Sequence, residues 1–268
     1  MKNAKGLLGV LLIIFCFIGI SPPGFSAEPR LIVTDIDDTI KATHITNPLA
    51  AFYNGLFGKK AFAGMAPLYQ SFVAIPSTNL FYLSGAPRVL NHKTINFLRQ
   101  HQFPSGRIFL RNVFTERDPY EYKLNRLEKL AANPEGEFIL IGDDTEHDPE
   151  VFAEFLRRHP DRVLSIYIHQ ITGREIPSTH RPFFTSFDIA VWEYLEGRLS
   201  PENLRAIAHA ITNVMPDTVL VPKYAKCPPQ ETELPGLDSA DLAEMQATVN
   251  AAVALECAPQ SHELSILN

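Results

Sequence analysis

Five short runs rich in branched apolar residues, at 31–34, 79–83, 107–110, 137–141 and 162–168, constrain this chain more than any other feature. Each is too short for a core helix and reads as a strand buried on both faces. Helical patterns fill the intervals at about 88–101, 119–132 and 149–159, the second opened by the capping sequence Asp118, Pro119 and Glu121. Strands alternating with helices predict an α/β fold, a Rossmann-like parallel sheet covered on both faces.

The rhythm breaks in an insertion at about 40–78 that carries Phe52, Tyr53, Phe57, Phe62, Tyr69 and Phe72. An insertion of this length reads as a cap or lid, its aromatics more often core residues than contacts sheltering an apolar part of a substrate. Beyond the last run come a loop with Pro177 and Pro182, then an aromatic stretch at 183–194. A helix opened by Ser200 and Pro201 follows, and another is expected at about 238–255. The predicted organisation is a leader at 1–27, a main domain at 28–199 and a C-terminal helical extension at 200–268.

The leader has Lys2 and Lys5, an apolar run at 7–20, then Ser21, Pro22, Pro23 and Gly24, which is the layout of a cleaved secretory signal. It predicts an exported protein, periplasmic or secreted, beginning near Ala27 or Glu28. Removing it takes two lysines from a chain of 24 basic and 30 acidic residues, leaving 22 against 30, a net charge of −8. Such a balance disfavours a nucleic-acid partner. It predicts that any peripheral membrane contact would rely on apolar surface rather than charge. Cys227 and Cys257 survive processing, and an oxidising compartment permits their disulfide.

Chemistry concentrates at Asp35, Ile36, Asp37, Asp38 and Thr39, directly after the first strand. Open α/β sheets place their ligand crevice at that end. Three carboxylates within four residues repel one another unless a cation neutralises them, and a hard, oxygen-seeking ion such as Mg2+ suits them. A second acidic cluster, Asp143, Asp144, Glu146 and Asp148, follows the run at 137–141. Asp148 reads equally as a helix cap before Pro149 and as support for a metal. His44 and His147 lack zinc-ligand spacing and read as solvated or supporting side chains.

With these motifs in order, the sequence resembles the haloacid dehalogenase superfamily. More narrowly, it resembles the phosphatidate phosphatase catalytic domain family of the yeast actin-patch protein type. The matching stretches are DIDDTIKATH, AFAGMAPLYQ, FYLSGAP and FILIGDDTEHDPEVFAEFLRRHPDRVLSIYI, within about residues 30–173. The resemblance implies the haloacid dehalogenase fold and a Mg2+-dependent phosphatase. Asp35 would be the nucleophile and a metal ligand. Asp37 would be the general acid and base, with its backbone carbonyl on the metal. Asp143, supported by Asp148, would complete the metal site. Thr39 would brace the motif, and Ser84, with Gly85, would hold a phosphoryl oxygen. Lys123 is the candidate for the substrate-facing cation, with Arg111 and Arg117 as alternatives.

The implied substrate is a phosphorylated lipid, against a small soluble phosphate ester, a phosphoprotein, or an inactive phosphate- or metal-binding protein as competing readings. Two departures bear on that choice. Gly85, Ala86, Pro87 and Arg88 stand where a serine-rich turn and a tryptophan are expected, and Asp144, Thr145 and Glu146 replace a Gly-Asp-Ser-Gly-like turn, adding acids beside the expected phosphate site. The oligomeric state is left open.

Overall fold

The structure, a computed structural model, describes residues 29–44, 60–133, 135–228, 234–237 and 239–266. The expected leader lies outside them, as do Phe52, Tyr53 and Phe57 of the insertion. Among the described residues no helix is long and apolar enough to cross a membrane.

The five runs are strands: β1 (Arg30–Thr34), β3 (Thr78–Pro87), β4 (Arg107–Arg111), β5 (Glu137–Asp143) and β6 (Val163–His169). A short β7 (Arg181–Phe183) completes a parallel sheet of order β4-β3-β1-β5-β6-β7. Alternate residues of each strand face opposite ways. Leu31 and Val33 therefore enter one apolar layer and Ile32 the other. The first layer is closed by α3 (Pro119–Ala131) and α4 (Asp148–Arg158), through Leu124, Leu127, Phe152 and Phe155.

The second layer is larger. It is covered by α1 (Met65–Val73), α2 (Asn91–Gln100), α5 (Ser186–Leu195), α6 (Pro201–Thr212) and α7 (Ala240–Ile266). Of the insertion expected over 40–78, residues 40–44 and 60–78 are described. Phe62, Tyr69 and Phe72 are buried in this layer, and α1 packs against α5, α6 and β3. The Tyr69 hydroxyl lies 2.6 Å from Oγ1 of Thr34, beneath the end of β1. The described part of the insertion therefore supports the sheet from below. Phe62, Tyr69 and Phe72, three of the insertion's six aromatics, fill this core.

The C-terminal helices belong to the same layer: α6 packs on α1 and α5, and α7 contributes Leu242, Val249 and Val253. The strand β8 (Thr218–Val219) pairs in parallel with β2 (Ala61–Phe62), and Cys227 is disulfide-bonded to Cys257.

Candidate active site

The central strand sets the geometry. β1 is hydrogen-bonded to β3 on one side and β5 on the other, with Thr34 in register with both Tyr82 and Ile141. The residues that follow each register partner consequently meet at one sheet end. Asp35 comes from β1, Ser84 and Gly85 from β3, and Asp143 from the end of β5. The Asp35 amide donates to the carbonyl of Ile141 at 2.8 Å, carrying the chain one residue beyond the ladder before it turns.

Asp35, Asp143 and Asp148 each offer a carboxylate oxygen within 4.8 Å of the others, and all three are buried. Gly142 makes this approach possible, since a Cβ there would lie 2.5 Å from Oδ2 of Asp148. Asp148 does not cap its helix through its side chain. Its Oδ2 accepts from the Asp143 amide at 3.3 Å and its Oδ1 from Lys123 Nζ at 2.5 Å. Of its two readings, the structure realises the one inside the acidic site. Thr39 donates to Asp143 at 3.2 Å, and the Thr145 hydroxyl also donates to it.

Lys123 is the cation of this cluster. Projected inward from the first turns of α3, it is 1% exposed and also lies 3.0 Å from Oδ1 of Asp35. Arg111 instead donates to the carbonyls of Gly85 and Arg117, at 3.0 and 2.6 Å, so it braces the cleft wall. Arg117 lines a separate groove beside α3.

Burial pushes the Asp35 carboxyl well above its ordinary value; Lys123 opposes the rise, and Asp148 and Asp143 add to it. Asp143 is raised in the same way, by burial first and then by Asp148. Burial also raises Asp148, against Lys123. Burial works to strip Lys123 of its proton, but Asp148, Asp35 and Glu146 outweigh it and hold the ammonium well above its usual range. Three buried carboxylates against one ammonium leave two negative charges when all are ionised, which one divalent cation would balance. The donor set, all oxygen and without histidine or cysteine, fits Mg2+.

Asp37 lines a cleft of about 230 Å³, shared with Asp35, Lys41, Ser84, Gly85, Lys93 and Glu146. The Ser84 hydroxyl donates to Asp37 at 3.2 Å and accepts from the Ala86 amide at 3.0 Å. Burial raises Asp37, against Lys41 and this hydrogen bond. Its carboxylate is not among the three that converge at the sheet end.

Of the two added acids, Asp144 is spent on structure. Its oxygens accept from the amides of Ile171, Thr172 and Gly173, at 2.9, 2.8 and 2.7 Å. Glu146 does reach the cleft, 4.0 Å from Lys123. Lys41 was missed in the sequence, although it stands only two residues after Thr39. Burial lowers it, against Asp37 and Asp38. His44 stacks on Tyr224 and His147 lies edge-on to Tyr120.

Residues 30–170, which contain every one of these acidic and cationic groups, match the family described as phosphatidate phosphatase APP1, catalytic domain. The chain belongs to this family. It is 30% identical over 153 residues to phosphatidate phosphatase APP1 of Saccharomyces cerevisiae, a match over 51% of this chain and 25% of the yeast protein. The chain thus corresponds to about a quarter of the length of that relative. Among solved structures, it is similar to the class C acid phosphatase of Bacillus anthracis, with a TM-score of 0.37 and 15% identity over 69% of this chain and 80% of the other. The tungstate-bound form of that enzyme gives 0.36 and 14% over the same shares.

Proposed function

We propose that this chain is a Mg2+-dependent phosphomonoester hydrolase that acts on a phosphorylated lipid of the phosphatidate type through an aspartyl-phosphate on Asp35. The observation that carries the reading is the division of labour at the sheet end. Asp35, Asp143, Asp148 and Lys123 form a buried charged cluster, while Asp37 and Ser84 face the open cleft.

A carboxylate can attack an anionic phosphoryl group only where positive charge screens both. Mg2+ held by Asp35, Asp143 and Asp148 would supply that screening and polarise the phosphoryl oxygens. Lys123 supplies more of it and orients the Asp35 carboxylate. The attacking oxygen of Asp35 forms the new bond to phosphorus as the bond to the leaving alcohol breaks. Protonated Asp37 gives its proton to that leaving oxygen. Asp37, now ionised, takes a proton from water as the water oxygen attacks the aspartyl-phosphate, releasing inorganic phosphate and restoring Asp35. Desolvation, which raises Asp37, favours the protonated form the first step needs. Ser84, already oriented by the Ala86 amide, can turn its hydroxyl to a phosphoryl oxygen.

The cleft admits a headgroup, and acyl chains would remain outside it. Val89, 86% exposed between the lining residues Pro87 and Leu90, and Phe114, 84% exposed three residues after Arg111, supply apolar surface beside them. We place the mature enzyme outside the reducing cytoplasm, on the apolar run at 7–20 and the paired cysteines. Turnover of phosphatidate in micelles, a soluble short-chain analogue, a sugar phosphate and a phosphotyrosine peptide, each with Mg2+ and with chelator, tests the substrate. Borohydride trapping should convert Asp35 to homoserine. Metal-independent turnover or an unlabelled Asp35 would refute the mechanism; preference for the sugar phosphate or peptide would refute the lipid.

A further inference from the structure

The loop that carries the acid/base residue is held from a part of the chain beyond the matched family residues 30–170. Asp38, next to Asp37, is fully buried and has φ of 52°, a left-handed conformation unusual outside glycine. Its environment fixes it there. Its amide donates to the carbonyl of Lys41 at 2.8 Å, and its own carbonyl accepts from Nδ1 of His169 at 2.8 Å. Oδ1 accepts three hydrogen bonds, from the amides of Thr43 and His44, at 2.8 and 2.9 Å, and from the Tyr224 hydroxyl at 2.8 Å.

Tyr224 makes a second contact with the same loop. Its ring stacks on the imidazole of His44, with centroids 4.2 Å apart and planes within 3°. The segment bearing Tyr224 is itself tied down at several points. β8 pairs with β2, Leu220, Val221 and Ala225 are buried in the core, and the Lys226 amide donates to the carbonyl of Ile171 at 2.8 Å. Cys227 is then bonded to Cys257 on α7. This is more anchoring than a tail needs, and it ends on the residue beside Asp37.

We propose that Tyr224 is a positioning residue of the phosphoryl-transfer site. By hydrogen bond and ring stack it holds the 38–44 loop, and through Asp38 it sets the direction in which Asp37 presents its carboxyl to the leaving oxygen. Tyr224 is not among the residues lining the cleft, so it acts through the loop and not on the substrate. The proposal rests on the acid/base role given above to Asp37.

The leaving group separates this role from a merely structural one. An alkyl phosphate needs a proton delivered to its departing oxygen, whereas an activated dinitrophenyl phosphate leaves without one. In the full-length chain, Tyr224→Phe keeps the stacked ring and deletes the hydroxyl, a hydrogen bond to a charged group. It should lower kcat on a soluble alkyl phosphomonoester about tenfold, with KM little changed. On the dinitrophenyl ester it should change kcat by less than about twofold. His44→Ala, which removes the stacking partner and leaves the amide, should show the same pattern more weakly and serves if Tyr224→Phe does not fold. Asp37→Asn sets the benchmark. If Asp37→Asn shows the leaving-group dependence but the folded Tyr224 and His44 variants lose nothing, or lose both substrates equally, the positioning role is wrong. If Asp37→Asn itself lacks the dependence, the acid/base assignment falls and this proposal falls with it.

Discussion

Replacing Lys123 by methionine tests the charge accounting at the sheet end, because it removes the ammonium and keeps most of the side-chain volume. Lys123 is 1% exposed, 3.0 Å from Asp35 and 2.5 Å from Asp148, both also buried. At an effective dielectric constant of about 20, an ion pair at 3.0 Å has an attraction of about 5.5 kcal/mol. Much of that only offsets the cost of burying the ammonium. What the substitution exposes is the cost of buried carboxylates left unpartnered, about 3 to 5 kcal/mol. Asp143→Asn should act in the opposite direction. It removes one repelling charge, while its amide oxygen can still accept from Thr39 or Thr145. That change should stabilise the protein by about 1 kcal/mol when no metal is present.

The measurement is urea unfolding of the protein in chelator and again in excess Mg2+. In chelator, Lys123→Met should be less stable than the wild type and Asp143→Asn at least as stable. In Mg2+ the deficit of Lys123→Met should shrink and the advantage of Asp143→Asn should reverse. Both variants should lose phosphatase activity. If Lys123→Met matches the wild type in chelator, the cluster is not held ionised by Lys123, and the fit of a divalent cation to two residual charges loses its basis.

Other expectations concern the same site and the chain that supports it. Mg2+ at a hundred times its dissociation constant should stabilise the wild type by about 2.7 kcal/mol, raising Tm by roughly 5 to 10 °C in a thermal scan; no rise would exclude a built site. Gly142→Ala would place a methyl 2.5 Å from Oδ2 of Asp148, at a cost of about 1 to 3 kcal/mol and with weaker Mg2+ binding by titration calorimetry. An unchanged Mg2+ affinity would show that Asp148 does not help to hold the ion. Replacing Cys227 and Cys257 by serine opens a loop of 30 residues. The chain-entropy argument gives a loss of about 3 to 4 kcal/mol, which urea unfolding without reductant would check.

The sheet was legible because strands buried on both faces are written as unbroken apolar runs, and the covering helices α3 and α4 carry a clear polar face. α5 was read only as an aromatic stretch, for the converse reason. Ser186, Phe187, Asp188, Ile189, Ala190 and Val191 are all buried, so no polar stripe marks a helical period. β7 has three residues and contains Pro182, tolerated there because the strand lies at the sheet edge. Aromatic content in the insertion reports burial without saying against what, and for Phe62, Tyr69 and Phe72 the partner is the sheet's second layer.

The acidic site was legible wherever its residues lie close in sequence to a strand end, as Asp35, Asp37, Ser84 and Asp143 do. Lys123 could be named because a capped helix start faces the same sheet end. Two things could not be read this way. That Asp144 grips the 171–174 turn depends on where that turn folds back, and Tyr224 reaches Asp38 across 186 positions of sequence. No local pattern records a contact of that kind.

The site is also where the fold conflicts with its own stability. A chain selected for stability alone would not bury three aspartates together with a single lysine, nor hold Asp38 in a left-handed conformation. Such local conflicts persist where function requires them. The surrounding structure is arranged to carry the cost. Tyr69 supports the end of β1 from beneath, Gly142 lets Asp148 approach, Asp144 ties down the next loop, and Tyr224 closes the turn from outside the family domain. Substitutions at these supports should therefore differ in kind from those in the cluster. Removing a support lowers stability and activity together. Neutralising one of the repelling carboxylates, as in Asp143→Asn, raises apo stability while abolishing turnover, and that divergence marks charge kept for chemistry rather than for folding.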